Sequence, residues 1–326
     1  MLRPKVAIIG EGVIGLSSAL AIKQKFPQSK ITVYSDKPFE ETCSFGPAGI
    51  FRVDKVCHRE YAKDTFERLA FLEKTVGIES GIKLLSGHVQ SHDRKILEDQ
   101  ETVYGDIVYN FHWLNEREKR GLFAVPPKHC FHFTTYAAEG RKYVPWLKKQ
   151  ITKVGVTFER KKVNNFDELG HAFDVVVNAA GLEGGKLAGD DDSVVPSRGI
   201  AIEVDAVYHK HFNYEGLNTF TIPMSNSVML GTVKQVGRTD MVITEEDRNE
   251  IWSKYLKIHP TFKGAKVLSE WISMRPDRPE IRLEAIKKSL HNKDYLLVHN
   301  YGSGSNGFAL HWGCATRVAN FIERDV

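Results

Sequence analysis

The sequence predicts an α/β chain, α+β overall, in which a parallel-sheet unit is interleaved with an antiparallel sheet. Three observations predict it. Residues 6–17, VAIIGEGVIGLS, are an apolar strand that runs into a glycine-punctuated turn and out into a helix-compatible run. Strand–helix–strand character then disappears after residue 50 and returns near residue 140. There an amphipathic run leads to DVVVNAAG at 174–181, an apolar stretch ended by small residues that suits a strand buried on both faces of a parallel sheet. Finally, a second strand, glycine loop and helix closes the chain from residue 295. These recurrences divide the chain into a discontinuous first unit, 1–50, 140–197 and 285–326, and a second unit, 51–139 and 198–284.

The opening stretch carries the first chemical signal. Gly10 permits a tight turn, Gly12 lets backbone amides approach a pyrophosphate, and Gly15 lets the new helix pack closely on its strand. The positive end of that helix faces the phosphates. Roughly 20 residues on, as this fingerprint requires, the apolar run ITVY at 31–34 ends beside Asp36, which can accept a ribose hydroxyl. Strand, glycines, helix, strand and acid in that order indicate a dinucleotide site, with NAD, NADP and FAD all open.

Further along, TCSFGPAGI at 42–50 is too broken for a helix and reads as a loop near the nucleotide. Tyr61, Thr65, Leu69, Leu72 and Val76 recur at helical spacing, so 58–76 is an amphipathic helix. Residues 82–135 mix short β-like runs with a polar segment, 91–102, and predict irregular structure with a switch of domain. Between 140 and 155, Tyr143, Leu147, Ile151 and Val154 line a helix face, with Pro145 expected in its first turn, and the strand VTFE follows. The second unit alternates as antiparallel strands at 198–204, 220–223 and 227–234. Period two places Lys234 at the end of the face that carries Val228, Leu230 and Thr232. A helix capped at Thr244, with acids in its first turn, follows over 244–256. The strand-like VLSEWIS, 267–273, leads to Met274, Arg275 and Pro276. The chain ends with YLLVH, 295–299, the loop YGSGSNG, 301–307, and a helix reaching Ile322.

Composition narrows the function. The 326 residues are 42% hydrophobic and 26% charged, ordinary for a globular protein with a sizeable core. A net charge of +4, with no basic run interleaved with aromatics, argues against a nucleic-acid partner. The densest basic cluster, Arg160, Lys161 and Lys162, reads as a solvated surface. Cys43, Cys57, Cys130 and Cys314 lack C-x-x-C spacing, and no histidines pair at metal-ligand intervals, so neither a disulfide framework nor a metal site is expected. A reducing compartment fits. Glu11 and the glycines interrupt what would otherwise resemble a signal peptide behind Arg3 and Lys5. No run of ~18 apolar residues exists, so no membrane span is expected. The ending Arg324, Asp325, Val326 is not a Ser-Lys-Leu address, leaving cytoplasm or peroxisome.

The closing string LVHNYGSGSNG, 297–307, followed by HWGCA, 311–315, resembles the C-terminal signature of the D-amino-acid oxidase family of FAD flavoproteins. GEGVIGLS resembles that family's pyrophosphate loop, PAGI (47–50) its flavin-facing loop, NAAGL (178–182) its mid-chain FAD contact, and RPDRPEIRLE (275–284) its substrate-arginine segment. The resemblance spans nearly the whole chain. It implies that the first unit binds FAD through Gly10, Gly12, Val13, Ile14, Gly15, Asp36, Lys37, Thr42, Cys43, Ser44, Ala48, Gly49, Ile50, Val163, Ala180 and Gly181. At the flavin end it implies Gly302, Gly304, Ser305, Asn306, Gly307, Phe308 and Ala309.

It also implies a substrate unit and an oxidase whose partners are a D-amino acid and O2. No residue is expected to act as a catalytic acid or base, because the cofactor carries the chemistry and the protein positions the α-carbon. Arg275 corresponds to the arginine that forks onto the substrate α-carboxylate. Members that oxidise acidic D-amino acids place a basic residue at Lys234 and a serine at Ser305, so acidic substrates are expected. Two departures stand out. The family's carboxylate-binding tyrosine is matched by Phe220, and the lid by Tyr214 and Glu215, an acid that would repel an acidic substrate if it pointed inward. Neutral D-amino acids, a silent flavoprotein and a nicotinamide dehydrogenase are the alternatives. Oligomeric state is not legible.

Overall fold

The computed structural model describes residues 3–216, 219–291 and 293–326. Its strands are β1 (Lys5–Ile9), β2 (Lys30–Ser35), β3 (Ile82–Ser91), β4 (Tyr109–Trp113), β5 (His129–Ala138), β6 (Thr157–Arg160) and β7 (Val175–Asn178). They continue with β8 (Val195–Val204), β9 (Phe212–Glu215), β10 (Thr219–Pro223), β11 (Val228–Val236), β12 (Val267–Leu290) and β13 (Lys293–Ser303). The helices are α1 (Val13–Lys25), α2 (Arg59–Thr75), α3 (Arg94–Tyr104), α4 (Glu116–Leu122), α5 (Gly140–Lys153), α6 (Asp167–Gly170), α7 (Gly184–Ala188), α8 (Glu245–Ile258) and α9 (Gly307–Asp325).

All these strands join one sheet in the order β4-β5-β3-β9-β10-β11-β8-β12-β13-β7-β1-β2-β6. From β13 to β6 every pairing is parallel. Such strands must be apolar on both faces, and the stretches KVAII and VVVN meet that need. One face is covered by α1, α5 and α9, with Leu16, Ile22, Leu147 and Val318 in the core. The other is covered by Phe166, Leu169 and Tyr295. Because α1 packs against the sheet, α5 and α9, it is apolar nearly all round, as an enclosed helix should be. From β4 to β12 the pairings are antiparallel except β3 with β9. There α8 packs Ile251 and Tyr255 onto Ile200, Ile202, Leu230 and Val233 of β8 and β11. Among the described residues no helix is long and apolar enough to cross a membrane.

Three expectations are corrected. The segment 82–135 is regular, and its polar stretch is the helix α3. Asp93 caps it by accepting from the amide of Lys95, and its buried stripe is Leu97, Gln100, Val103 and Tyr104. A glutamine at a core position, accepting from the Tyr104 hydroxyl at 2.7 Å, hid the apolar period. Second, α5 begins at Gly140 because Lys83 and Ser225, both at 2.8 Å, fix Glu139 as its cap residue, so Pro145 falls in the second turn. Tyr143, Leu147 and Ile151 are buried as expected, but Val154 has reached the exposed end of the helix.

The third concerns β11. Gly231 pairs with Ala201 but Lys234 with Gly199, so one extra residue is bulged out of β11. The bulge inverts the alternation. Val228, Leu230 and Val233 face α8, whereas Met229, Thr232 and Lys234 face a cavity.

Thr244 accepts from the amide of Asp247, which returns the bond to the amide of Thr244, a reciprocal cap on α8. A Thr244→Ala variant is expected to lose about 1 kcal/mol, read as a Tm lower by about 2 °C in a thermal melt.

Candidate active site

A cavity of 1170 Å³ runs from the N-terminus of α1 to the junction of β8, β11 and β12. At its first end β1 delivers the chain into Gly10, whose φ of 118° and amide bond to the Tyr34 carbonyl make the turn. Gly15 stands behind the wall, where a Cβ would lie 2.0 Å from the Gly10 carbonyl oxygen. The helix can therefore lie directly on its strand. Gly12 as cap residue offers no side chain, and Ser44 takes the amide of Val13 at 3.0 Å. The first-turn amides of a helix lack intrahelical acceptors, and Val13 and Ile14 both line the cavity.

Asp36, Lys37, Thr42, Cys43, Ser44, Ala48, Gly49, Ile50, Val163, Ala180 and Gly181 also line the cavity. Gly302, Gly304, Ser305, Asn306, Gly307 and Phe308 line the far wall. Ala309 does not reach it, being buried in the α9 core.

Near the first end lies a carboxylate that sequence reasoning passed over. Glu11 is buried on the cavity wall, where its charge would oppose a pyrophosphate, but Lys148 at 2.5 Å and Arg160 at 3.7 Å offset it. The Arg160–Lys162 triplet is thus more than a solvated face, since Lys161 and Lys162 also line the cavity. A basic cluster just after β6, the strand beside β2, was the available signal.

At the other end Arg275, Lys234, Ser305, Phe220 and Tyr214 are brought together. The guanidinium of Arg275 lies over Gly199, where a Cβ would meet Nη1 at 2.3 Å. Its contact with Thr232 Oγ1 is long, 3.5 Å, and its buried Nη1 has no hydrogen-bond partner. Lys234 is registered opposite Gly199, on the same sheet face, and stands 3.7 Å from Asp277. Phe220 rests on Gly231 with its ring 5.5 Å from that of Tyr214. Burial raises the Tyr214 hydroxyl above its ordinary pKa, with Arg52 opposing, so it is a neutral donor. Glu215, one residue on, does not line the cavity, so the feared repulsion is absent.

Arg52 and Asp54 were missed. Phe51 and Val53 are fully buried in the core, which turns Ile50, Arg52 and Asp54 toward the cavity. That alternation was readable. Arg52 pairs with Asp54 at 2.8 Å and lies on the Tyr214 ring at 5.0 Å. Asp54 also accepts from Asn306 at 2.9 Å and Ser305 at 3.2 Å. Burial alone would raise its pKa, but Arg52 and these donors hold it below the usual range. Asp54 is therefore a fixed anion that occupies the Ser305 hydroxyl and is not available as a base.

A family model described as FAD dependent oxidoreductase matches residues 5–321. The chain belongs to that family. It is 51% identical over 324 residues to D-aspartate oxidase 1 of Caenorhabditis elegans, covering 98% of this chain and 97% of that protein. It is 31% identical over 336 residues to human D-aspartate oxidase, covering 99% and 95%. Glycine oxidase from Geobacillus kaustophilus has the same fold, with a TM-score of 0.82 at 17% identity, covering 100% of this chain and 96% of that one.

FAD fits what the family implies. The cavity opens on a helix N-terminus whose cap residue, Gly12, has no side chain, is also lined by glycine backbone of the loop before α9, and has Asp36 where the adenosine ribose would lie. Lys148→Ala is expected to leave Glu11 offset only by the longer Arg160 contact and weaken FAD binding about tenfold, about 1.4 kcal/mol. Titration of apoprotein by flavin fluorescence checks this, with the added change Glu11→Gln restoring affinity.

Proposed function

We propose that this chain oxidises acidic D-amino acids, D-aspartate and D-glutamate, with O2 as acceptor. The observation that carries the reading is the guanidinium of Arg275, which faces the cavity with a buried Nη1 and no carboxylate partner among the described residues. A buried donor left without an acceptor is costly. A substrate α-carboxylate supplies that acceptor, and a planar fork fixes its orientation as a lysine would not.

Lys234 extends the argument to the second carboxylate. Adjacent strands are about 4.8 Å apart, so a cation opposite Gly199 and another over Gly199 suit two carboxylates on one short chain. Asp277 shares Lys234 through a long, partly exposed contact that a substrate carboxylate can displace. Tyr214 offers a hydroxyl where Phe220 has none. The relatives named D-aspartate oxidase support the same substrate class.

Bound FAD would supply the hydride acceptor and the relay of two electrons to O2, the overall reaction giving H2O2 and an imino acid that hydrolyses to a 2-oxo acid and ammonia. The protein's part is positioning. Arg275 and Lys234 hold the two ends of the substrate, Phe220 and Tyr214 wall it from solvent, and no histidine lines the described cavity to act as a base. The described cysteines are free, which fits a reducing compartment such as cytoplasm or peroxisome.

H2O2 release from D-Asp and D-Glu is expected to exceed that from D-Ala and D-Met, and Lys234→Ala is expected to reverse the order. Preference of the unaltered protein for D-Ala would sink the acidic reading. Gly199→Ala places a methyl group where the Arg275 guanidinium lies. It is expected to raise KM for D-Asp tenfold or more, about 1.4 kcal/mol, while FAD affinity is unchanged.

A further inference from the structure

The sheet carries a second cluster on the face opposite the cavity. In register, His112 of β4 stands beside His132 of β5, His132 beside His88 of β3, and His88 beside Asn213 of β9. Side chains of directly opposed residues share a face, so the imidazoles form a row across the sheet. His211, two residues before Asn213, joins it with its ring 5.4 Å from that of His88. Tyr214, which lines the cavity, alternates to the other side.

We propose that His88, His132 and His211 form a binding site for a divalent late first-row metal ion, Zn2+ being the simplest occupant. One ring nitrogen from each lies within 4.8 Å of the others. His132 Nδ1 and His88 Nε2 are 3.3 Å apart. Two ligands of a tetrahedral zinc, each at about 2.05 Å, are separated by about 3.3 Å. The pair of buried His88 and half-buried His132 is therefore at ligand spacing already, and the exposed His211 closes the set by a change of rotamer.

The surroundings suit an ion with a bound water. The side-chain oxygen of Asn213, buried and opposite His88, has no hydrogen-bond partner and can accept from such a water. His112 and Glu118, with Nε2 and Oε1 4.0 Å apart, form an outer layer, and Phe123 packs against His88. Burial, together with repulsion among neighbouring imidazoles, lowers the pKa of His88 to about 3 and of His132 to about 4, so both rings keep a free lone pair at neutral pH. The donor set is all nitrogen. That selects zinc, nickel or copper over Mg2+ and Ca2+, which require oxygen ligands.

The ligands tie together β5, β3 and the entry to β9, elements remote in sequence. A bound ion would brace that part of the sheet. The test uses full-length, FAD-loaded protein stripped with EDTA and titrated with ZnCl2 at pH 7.5 by competition with a chromophoric chelator. One Zn2+ per chain is expected with a Kd near or below about 1 µM, accompanied by a rise in Tm, with no response to MgCl2 or CaCl2.

His211→Ala, at an exposed position that leaves the fold intact, and His132→Asn are each expected to weaken Zn2+ binding at least tenfold. His259→Gln, in the separate His209–His259 pair, is expected to leave it unchanged. Wild-type affinity in His211→Ala, or a Kd weaker than about 100 µM in the unaltered protein, would overturn the proposal and make the row a packing feature.

Discussion

The architecture depends on one strand being paired on both sides along different parts of its length. From Val267 to Asp277, β12 is hydrogen-bonded to β8, and from Arg282 to Leu290 it is paired with β13. The first partner belongs to the antiparallel half and the second to the parallel half, so β12 makes two half-sheets into one. The register slips between Asp277 and Arg282, where the strand changes its principal partner. Arg275 lies at the end of the β8-paired stretch. It can lean back over Gly199 because that residue has no side chain to occupy the space. An arginine at this point is held by the scaffold that also borders the cavity, so the proposed substrate contact would rest on a rigid element.

Electrostatic pairing then decides which charges can meet a ligand. Of the two arginines on the cavity wall, Arg52 is bound to Asp54, and Asp54 is in turn held by Asn306 and Ser305. That group is satisfied and serves as a frame, fastening the segment after Ile50 to the loop before α9. Arg275 has no such partner. Leaving its buried Nη1 without an acceptor costs stability, a cost that the proposed substrate carboxylate would recover. The same logic operates at the other end, where buried Glu11 is tolerated on the cavity wall because Lys148 and Arg160 offset it.

Much of this was legible in the chain, for identifiable reasons. Gly10, Gly12 and Gly15 could be read because a turn, a close approach and a tight helix contact each exclude a side chain. The helices from Arg59 and from Glu245 could be read from period and cap. Lys234 was assigned to the cavity only through resemblance. Its period-two argument put it on the face of Val228 and Leu230, and the bulge after Gly231 moves it to the opposite one. A bulge is a property of pairing with β8, so no window of β11 alone can reveal it. The helix α3 was lost for a local reason, a buried Gln100 whose partner Tyr104 is one turn away. Arg52 and Asp54 were visible in the alternation with Phe51 and Val53, but 51–54 fell between the loop at 42–50 and the helix from 58 and received no reading.

The two faces of the sheet explain why the remaining cluster escaped notice altogether. Alternation along β9 sends Tyr214 to the cavity and Asn213 to the other side, so neighbouring residues serve different environments separated by the thickness of one sheet. His112, His132 and His88 meet only because β4, β5 and β3 are adjacent and in register. Spacing rules for metal ligands assume that a short loop or one helix face presents the donors. A ladder across strands obeys register instead, and register follows from which strands pair. The chemistry on either face is thus set by pairing, with β12 placing Arg275 on one and the β4-β5-β3 order aligning imidazoles on the other.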